Sequence, residues 1–75
     1  MSEYARFAKE LGRRIREIRK KRHLTQEDMQ SHKFATRHWQ QIEAGRPITV
    51  ETLWRISKAL KTPLVDLFRG LDKHK

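Results

Sequence analysis

Four histidines are the side chains of this sequence best suited to hold a metal, and their placement argues against it. His32 and His38 lie six residues apart, with no cysteine in the chain and no acidic cluster beside them to complete a ligand set. No Ser/His/Asp order, glycine-rich phosphate loop or carboxylate pair in an apolar setting stands out either. The expectation is a protein without metal, cofactor or enzymatic activity. The chemistry on offer is electrostatic. Eighteen Lys and Arg stand against nine Asp and Glu, a net charge of +9 on 75 residues. A surface so basic suits a polyanionic partner.

The charge is unevenly placed. Residues 1–24 carry nine Lys/Arg and three Glu, and residues 47–75 carry six cations and three acids. Residues 25–46 carry three of each sign, the cations being Lys33, Arg37 and Arg46. Any contact made by this middle stretch rests on chosen side chains more than on bulk charge.

The elements that must position these groups are helices. Phe7, Leu11, Ile15 and Ile18 recur at steps of four, four and three, which is one helical face, with Arg13, Arg16 and Lys20 opposite. A first helix is expected over residues 3–22, closed by His23 in a left-handed conformation. Thr25-Gln26-Glu27-Asp28 reads as the capped start of a second helix reaching Ser31 or His32. A third helix, over residues 36–44, places Trp39 and Ile42 on its inner face and ends at Gly45. Arg46-Pro47-Ile48 is a loop, and Thr49 caps a fourth helix carrying Leu53, Ile56 and Leu60. Thr62-Pro63 reads as a cap followed by proline at the first position of a short fifth helix, over residues 63–69. Gly70 ends it, and Asp72–Lys75 is expected to fray. The chain is thus expected to be one all-α domain of five helices, with its core within residues 4–69. The second and third helices have the spacing of a helix-turn-helix. No apolar run approaches the length of a membrane span and no signal peptide is evident. The lack of cysteine fits a reducing cytoplasm.

Three runs carry a more specific signal: Leu11-Gly12 with Ile15-Arg16-Glu17-Ile18-Arg19, then Leu24-Thr25-Gln26-Glu27-Asp28-Met29, then Trp39-Gln40-Gln41-Ile42-Glu43-Ala44-Gly45. Together with residues 51–60 and 63–68 they resemble the Cro/repressor (XRE-type) helix-turn-helix family of bacterial and phage transcriptional regulators, over roughly residues 11–68. The resemblance implies a sequence-specific, double-stranded-DNA-binding regulator whose third helix enters the major groove. By position it assigns base contacts to Thr36, Arg37, His38, Gln40 and Gln41, with Arg37 suited to guanine and Gln41 to adenine. It assigns phosphate contacts to Thr25, Gln26 and Arg46. Arg19 and Glu43 match a family pair that forms an internal salt bridge between the first and third helices.

The chain departs from the family at the turn. Gln30-Ser31-His32-Lys33-Phe34 is one residue shorter than usual and lacks its glycine. Phe34 is expected to fill space that smaller aliphatic side chains share elsewhere. Ala35 stands at the usual cap of the third helix, so Thr36 is expected to take over the cap. Trp54 falls off the inner face of the fourth helix, and with Val65, Phe68 and Leu71 it is expected to form an apolar patch at which two copies meet. A homodimer would read an inverted repeat with half-sites about one helical turn apart. The alternatives are a protein-interaction or antitoxin-type module on the same fold, with a toxin or polymerase as partner, and a nonspecific nucleic-acid binder.

Overall fold

Ser2 starts the first helix: its hydroxyl accepts from the Ala5 amide at 3.0 Å. The computed structural model describes residues 2–71, and the tail expected at 72–75 lies outside the described residues. Helix α1 (Glu3–Lys21) is followed by a 3-10 helix, η1 (Glu27–His32). Then come α2 (Thr36–Glu43), α3 (Val50–Ala59) and α4 (Leu64–Leu67), and no strand occurs among the described residues. None of the described helices is long and apolar enough to cross a membrane.

The apolar stripe of α1 becomes one wall of the core. Leu11, Ile15 and Ile18 pack with Met29, Phe34, Trp39, Ile42, Ile56, Leu60 and Leu67. Burying each of these large side chains contributes about 1.5–3 kcal/mol. Gly12 sets how closely α1 and α2 approach. A Cβ there would lie 2.7 Å from the Ile42 carbonyl oxygen and 2.8 Å from that of Glu43. Only a residue without a side chain lets the two backbones touch at this point.

Four of the five elements among the described residues close in the same way. A residue in the left-handed region follows the helix, and the amide after it reaches back to the carbonyl five residues earlier. The residues are His23 (φ 59°), Lys33 (φ 67°), Gly45 (φ 98°) and Lys61 (φ 51°). The reaching bonds run from Leu24 to Arg19 (3.1 Å), Phe34 to Met29 (3.2 Å), Arg46 to Gln41 (3.1 Å) and Thr62 to Ser57 (2.9 Å). Three of these closures carry a side chain where glycine is the unstrained choice, at about 1–2 kcal/mol each. Two are held from outside. Arg55 Nη2 donates to the Lys33 carbonyl at 3.0 Å, and Arg22 Nη2 donates to the Lys61 carbonyl at 2.8 Å.

Two expectations are corrected by this arrangement. The second helix is a 3-10 helix. Thr25 and Asp28 cap each other reciprocally, Thr25 N donating to Asp28 Oδ2 at 2.7 Å and Asp28 N to Thr25 Oγ1 at 3.1 Å. The same turn carries tight bonds from Asp28 N to Thr25 O and from Met29 N to Gln26 O, while Met29 is drawn fully into the core. At the other end of the chain, Thr62 does not cap the last helix. Its hydroxyl donates to the Leu60 carbonyl at 2.9 Å. Pro63, with ψ 147°, stands just outside a helix that spans only Leu64–Leu67. Arg14 Nε donates to the Asp66 carbonyl at 3.1 Å and ties this end to α1.

Candidate nucleic-acid interface

The outward face of α2 is set by what its inward face must do. Trp39 and Ile42 are buried, which turns Arg37, His38 and Gln40 into solvent and leaves Gln41 half-buried. The helix contains one acid, Glu43, and that side chain points inward, 5% exposed. The outer face is therefore polar and positive, without a carboxylate.

Glu43 is the hub that fixes α2 to its support. Oε2 accepts from Arg19 Nε at 2.5 Å and from Trp39 Nε1 at 2.5 Å. Oε1 accepts from Arg19 Nη2 at 3.1 Å and from Gln26 Nε2 at 3.0 Å. Arg19, itself buried, spends its remaining nitrogen on the Leu24 carbonyl at 2.7 Å. One carboxylate thus joins α1, the residue before η1, and α2 through side chains with little freedom left. Burial, the largest single influence, pushes the Glu43 carboxyl up. Hydrogen bonds from Arg19, Gln26 and Trp39 and the guanidinium charge together outweigh it, and hold Glu43 below its ordinary value. No buried side-chain nitrogen or oxygen among the described residues lacks a partner.

The residues singled out in the sequence fall into three groups. Arg19 and Glu43 are brought together as a bidentate ion pair. His38, Gln41 and Arg46 share one shallow groove of about 230 Å³ with Ile42, Pro47 and Ile48. It is too small and open for a typical small-molecule site. Arg37 and Gln40 stand beside it on the same exposed helix face, Gln40 reaching Gln26 Oε1 at 3.4 Å.

Thr36 is placed differently from the expectation. It does not cap α2; Ala35 occupies that position with no side-chain bond, and Thr36 Oγ1 accepts from Gln30 Nε2 at 2.6 Å. A residue at the first helical position cannot direct its hydroxyl back to the amides a cap serves. Among the described residues no side chain accepts from the first-turn amides of α2. At η1, the exposed Thr25 is occupied by the reciprocal cap, and Gln26 binds Glu43 and Gln40 through both ends of its amide.

The C-terminal patch is also corrected. Trp54 is 52% exposed and Val65 70%, but Leu71 is buried in the core, brought back by Gly70 at φ 85°. Phe68 stacks on Phe7 with ring centroids 6.1 Å apart. It borders a different groove, with Tyr4, Val50 and Leu53. What remains exposed is Trp54 with Leu64 across a groove of about 480 Å³, the Lys58 ammonium lying 5.4 Å from the Trp54 ring centroid.

The Arg55 guanidinium, 4.3 Å from the Phe34 ring centroid, was missed in the sequence. Phe34 is itself fully buried and set edge-on to Trp39 at 5.0 Å. Arg55 follows Trp54 on a helix whose periodicity assigned neither residue to the core, so periodicity held no signal for it. Arg14 and Arg22 were missed too, although both fall near the apolar stripe of α1, a signal that was there to be used. Among the described residues no three His, Cys, Asp or Glu side chains are grouped to hold a metal. No family model matches the chain, and no curated protein resembles it closely enough to count as a relative.

Proposed function

We propose that this protein is a sequence-specific double-stranded-DNA-binding transcriptional regulator of the Cro/repressor type, working in a bacterial cytoplasm. In this reading η1, residues 33–35 and α2 form the helix-turn-helix, and α2 enters the major groove. The observation that carries it is the pairing of a polar, carboxylate-free outer face on α2 with a rigid anchor on its inner face. A reading helix needs both: groups matched to base edges, and a scaffold that holds them in register. Arg37 offers two parallel donors to guanine O6 and N7, and Gln41 an amide suited to adenine N6 and N7. The uncapped amides of α2 and the side chain of Arg46 are the phosphate-facing donors. The exposed Trp54–Leu64 surface serves the homodimer contact, with the exposed Val65 next to Leu64 in the chain and Leu71 excluded from it. The same exposed Trp54 favours a second reading, in which this groove takes a protein partner and α2 reads nothing.

A competition assay separates the two. Arg37→Ala and Gln41→Ala are expected to narrow the preference for a selected duplex over a scrambled one by about 1–3 kcal/mol each. Their melting temperatures should stay unchanged. An unaltered preference in both variants refutes the assignment of these residues.

A further inference from the structure

On α1, Arg6, Lys9, Arg13, Arg16 and Lys20 follow one another at steps of three, four, three and four. At 100° per residue all five fall within about 80° of arc. With a rise of 1.5 Å per residue the row runs about 21 Å. All five are exposed, and none holds a side-chain hydrogen bond or ion pair among the described residues. The two ion pairs seen there are Arg19–Glu43 and Arg69–Asp66. The row lies across the helix from Leu11 and Ile15 and at least about 40° round from Gly12; at its near edge the stem of Lys9 rests against Gly45, just past α2, while Arg13, Arg16 and Lys20 stand clear of it.

Within the row itself the charges oppose one another, and only Glu10 and Glu17 at its edge offset this. Like charges three and four residues apart repel, and Arg6 lies near the positive end of the helix dipole. No acid interrupts the row; Glu10 and Glu17 lie along one edge of it. Nor do the charged ends of these five side chains tie elements together, as Arg14, Arg19 and Arg22 do through their bonds to Asp66, Glu43 and Lys61. An uninterrupted line of exposed cations complements a polyanion, and a phosphate backbone presents its charges in such a line.

We infer that the outer face of α1 is a second, sequence-independent nucleic-acid site, one that binds the phosphate backbone of a duplex segment outside the stretch assigned to α2. It extends the DNA-binding reading but rests on different residues. Five cations along about 21 Å face a strand whose phosphates advance 3.4 Å each along the axis, so three or more phosphates fall within reach. Such a face adds salt-dependent affinity without sequence preference.

The test is binding of a labelled duplex of scrambled sequence, by anisotropy, between about 50 and 200 mM salt. The variant is Arg13→Gln, Arg16→Gln and Lys20→Gln together. All three positions are exposed and glutamine is a good helix former, so circular dichroism should be unchanged. The log–log slope of affinity against salt should become shallower by about 2–3. Arg13→Lys with Arg16→Lys keeps the charge and should keep the slope. Arg37→Ala with Gln41→Ala should leave this scrambled-duplex slope largely in place, which separates the α1 site from the function assigned to α2. If the wild type selects no sequence yet its slope still depends on the α1 residues, the α2 reading fails and the α1 site stands. A slope unchanged by the triple glutamine variant overturns the site. A triple variant that loses polyglutamate binding while keeping duplex binding also overturns it, in favour of an acidic protein partner.

Discussion

Glu43→Gln removes one charge and keeps the shape, so its cost can be worked from the hydrogen bonds of the hub. Each carboxylate oxygen accepts two donors: Arg19 Nε and Trp39 Nε1 on one, Arg19 Nη2 and Gln26 Nε2 on the other. Glutamine offers one oxygen and one NH₂ group. Whichever way the amide turns, two donors face another donor instead of an acceptor. Each stranded buried donor costs about 1–3 kcal/mol, and breaking one side of a buried ion pair costs about 3–5 kcal/mol. The two routes agree on about 3–5 kcal/mol. At roughly 0.05–0.15 kcal/mol per residue a chain of 75 residues holds about 4–11 kcal/mol in all. At about 4–8 °C per kcal/mol the melting temperature should fall by at least about 12 °C. The exposed Glu51→Gln is the control and should stay within about 0.5 kcal/mol of wild type. Acid should act in the same direction. Glu43 sits below its ordinary value of 4.5 in the folded protein. Its stabilising contribution is therefore full above that pH and is lost as pH falls through the lower folded value. Thermal melts of both variants from neutral pH down to about pH 3 read both effects. The wild-type advantage over Glu43→Gln should shrink on acidification. Equal melting temperatures for Glu43→Gln and Glu51→Gln, or an advantage that ignores pH, would refute the hub.

Three further substitutions test the scaffold. Gly12→Ala sets a methyl against two backbone carbonyls and should cost at least about 1–3 kcal/mol by thermal melt, despite alanine's better helix propensity. Lys33→Gly and Lys61→Gly relieve left-handed backbone at φ 67° and 51°, and each should stabilise by about 0.5–1 kcal/mol once the looser unfolded chain is counted. Arg55→Ala removes both the contact with Phe34 and the bond to the Lys33 carbonyl. It should cost about 1–3 kcal/mol in urea unfolding, and adding Lys33→Gly should recover part of that loss.

The apolar periodicity of Phe7–Ile18 and of Leu53–Leu60 was enough to place α1 and α3, because those stripes face one core whatever the tertiary detail. His23 and Gly45 announced two closures by residue type. Lys33 and Lys61 did not, since lysine has no preference for left-handed backbone; these two are held by arginines far along the chain. The 3-10 character of η1 was hidden for a related reason. A single shift in hydrogen-bond register separates it from an α-helix, and the Thr25–Asp28 cap that was legible in the residues can open either. At the candidate interface, Arg19 and Glu43 were named from a resemblance, whereas the part played by Trp39 Nε1 and Gln26 in the same hub was not. A tryptophan on an inner face reads as core, and its polar edge becomes visible only when a buried acceptor is found beside it. Leu71 was misplaced because the turn at Gly70 reverses the chain, and nothing in the local pattern shows that the residue after it returns to the core.

The most direct test of the central proposal is selection from a random duplex library with the purified protein near physiological salt, followed by sequencing. Enrichment of an inverted repeat with half-sites about ten base pairs apart is the expected result, and the enrichment should weaken with Arg37→Ala. Retention of duplexes without enrichment of any sequence would contradict base reading by α2.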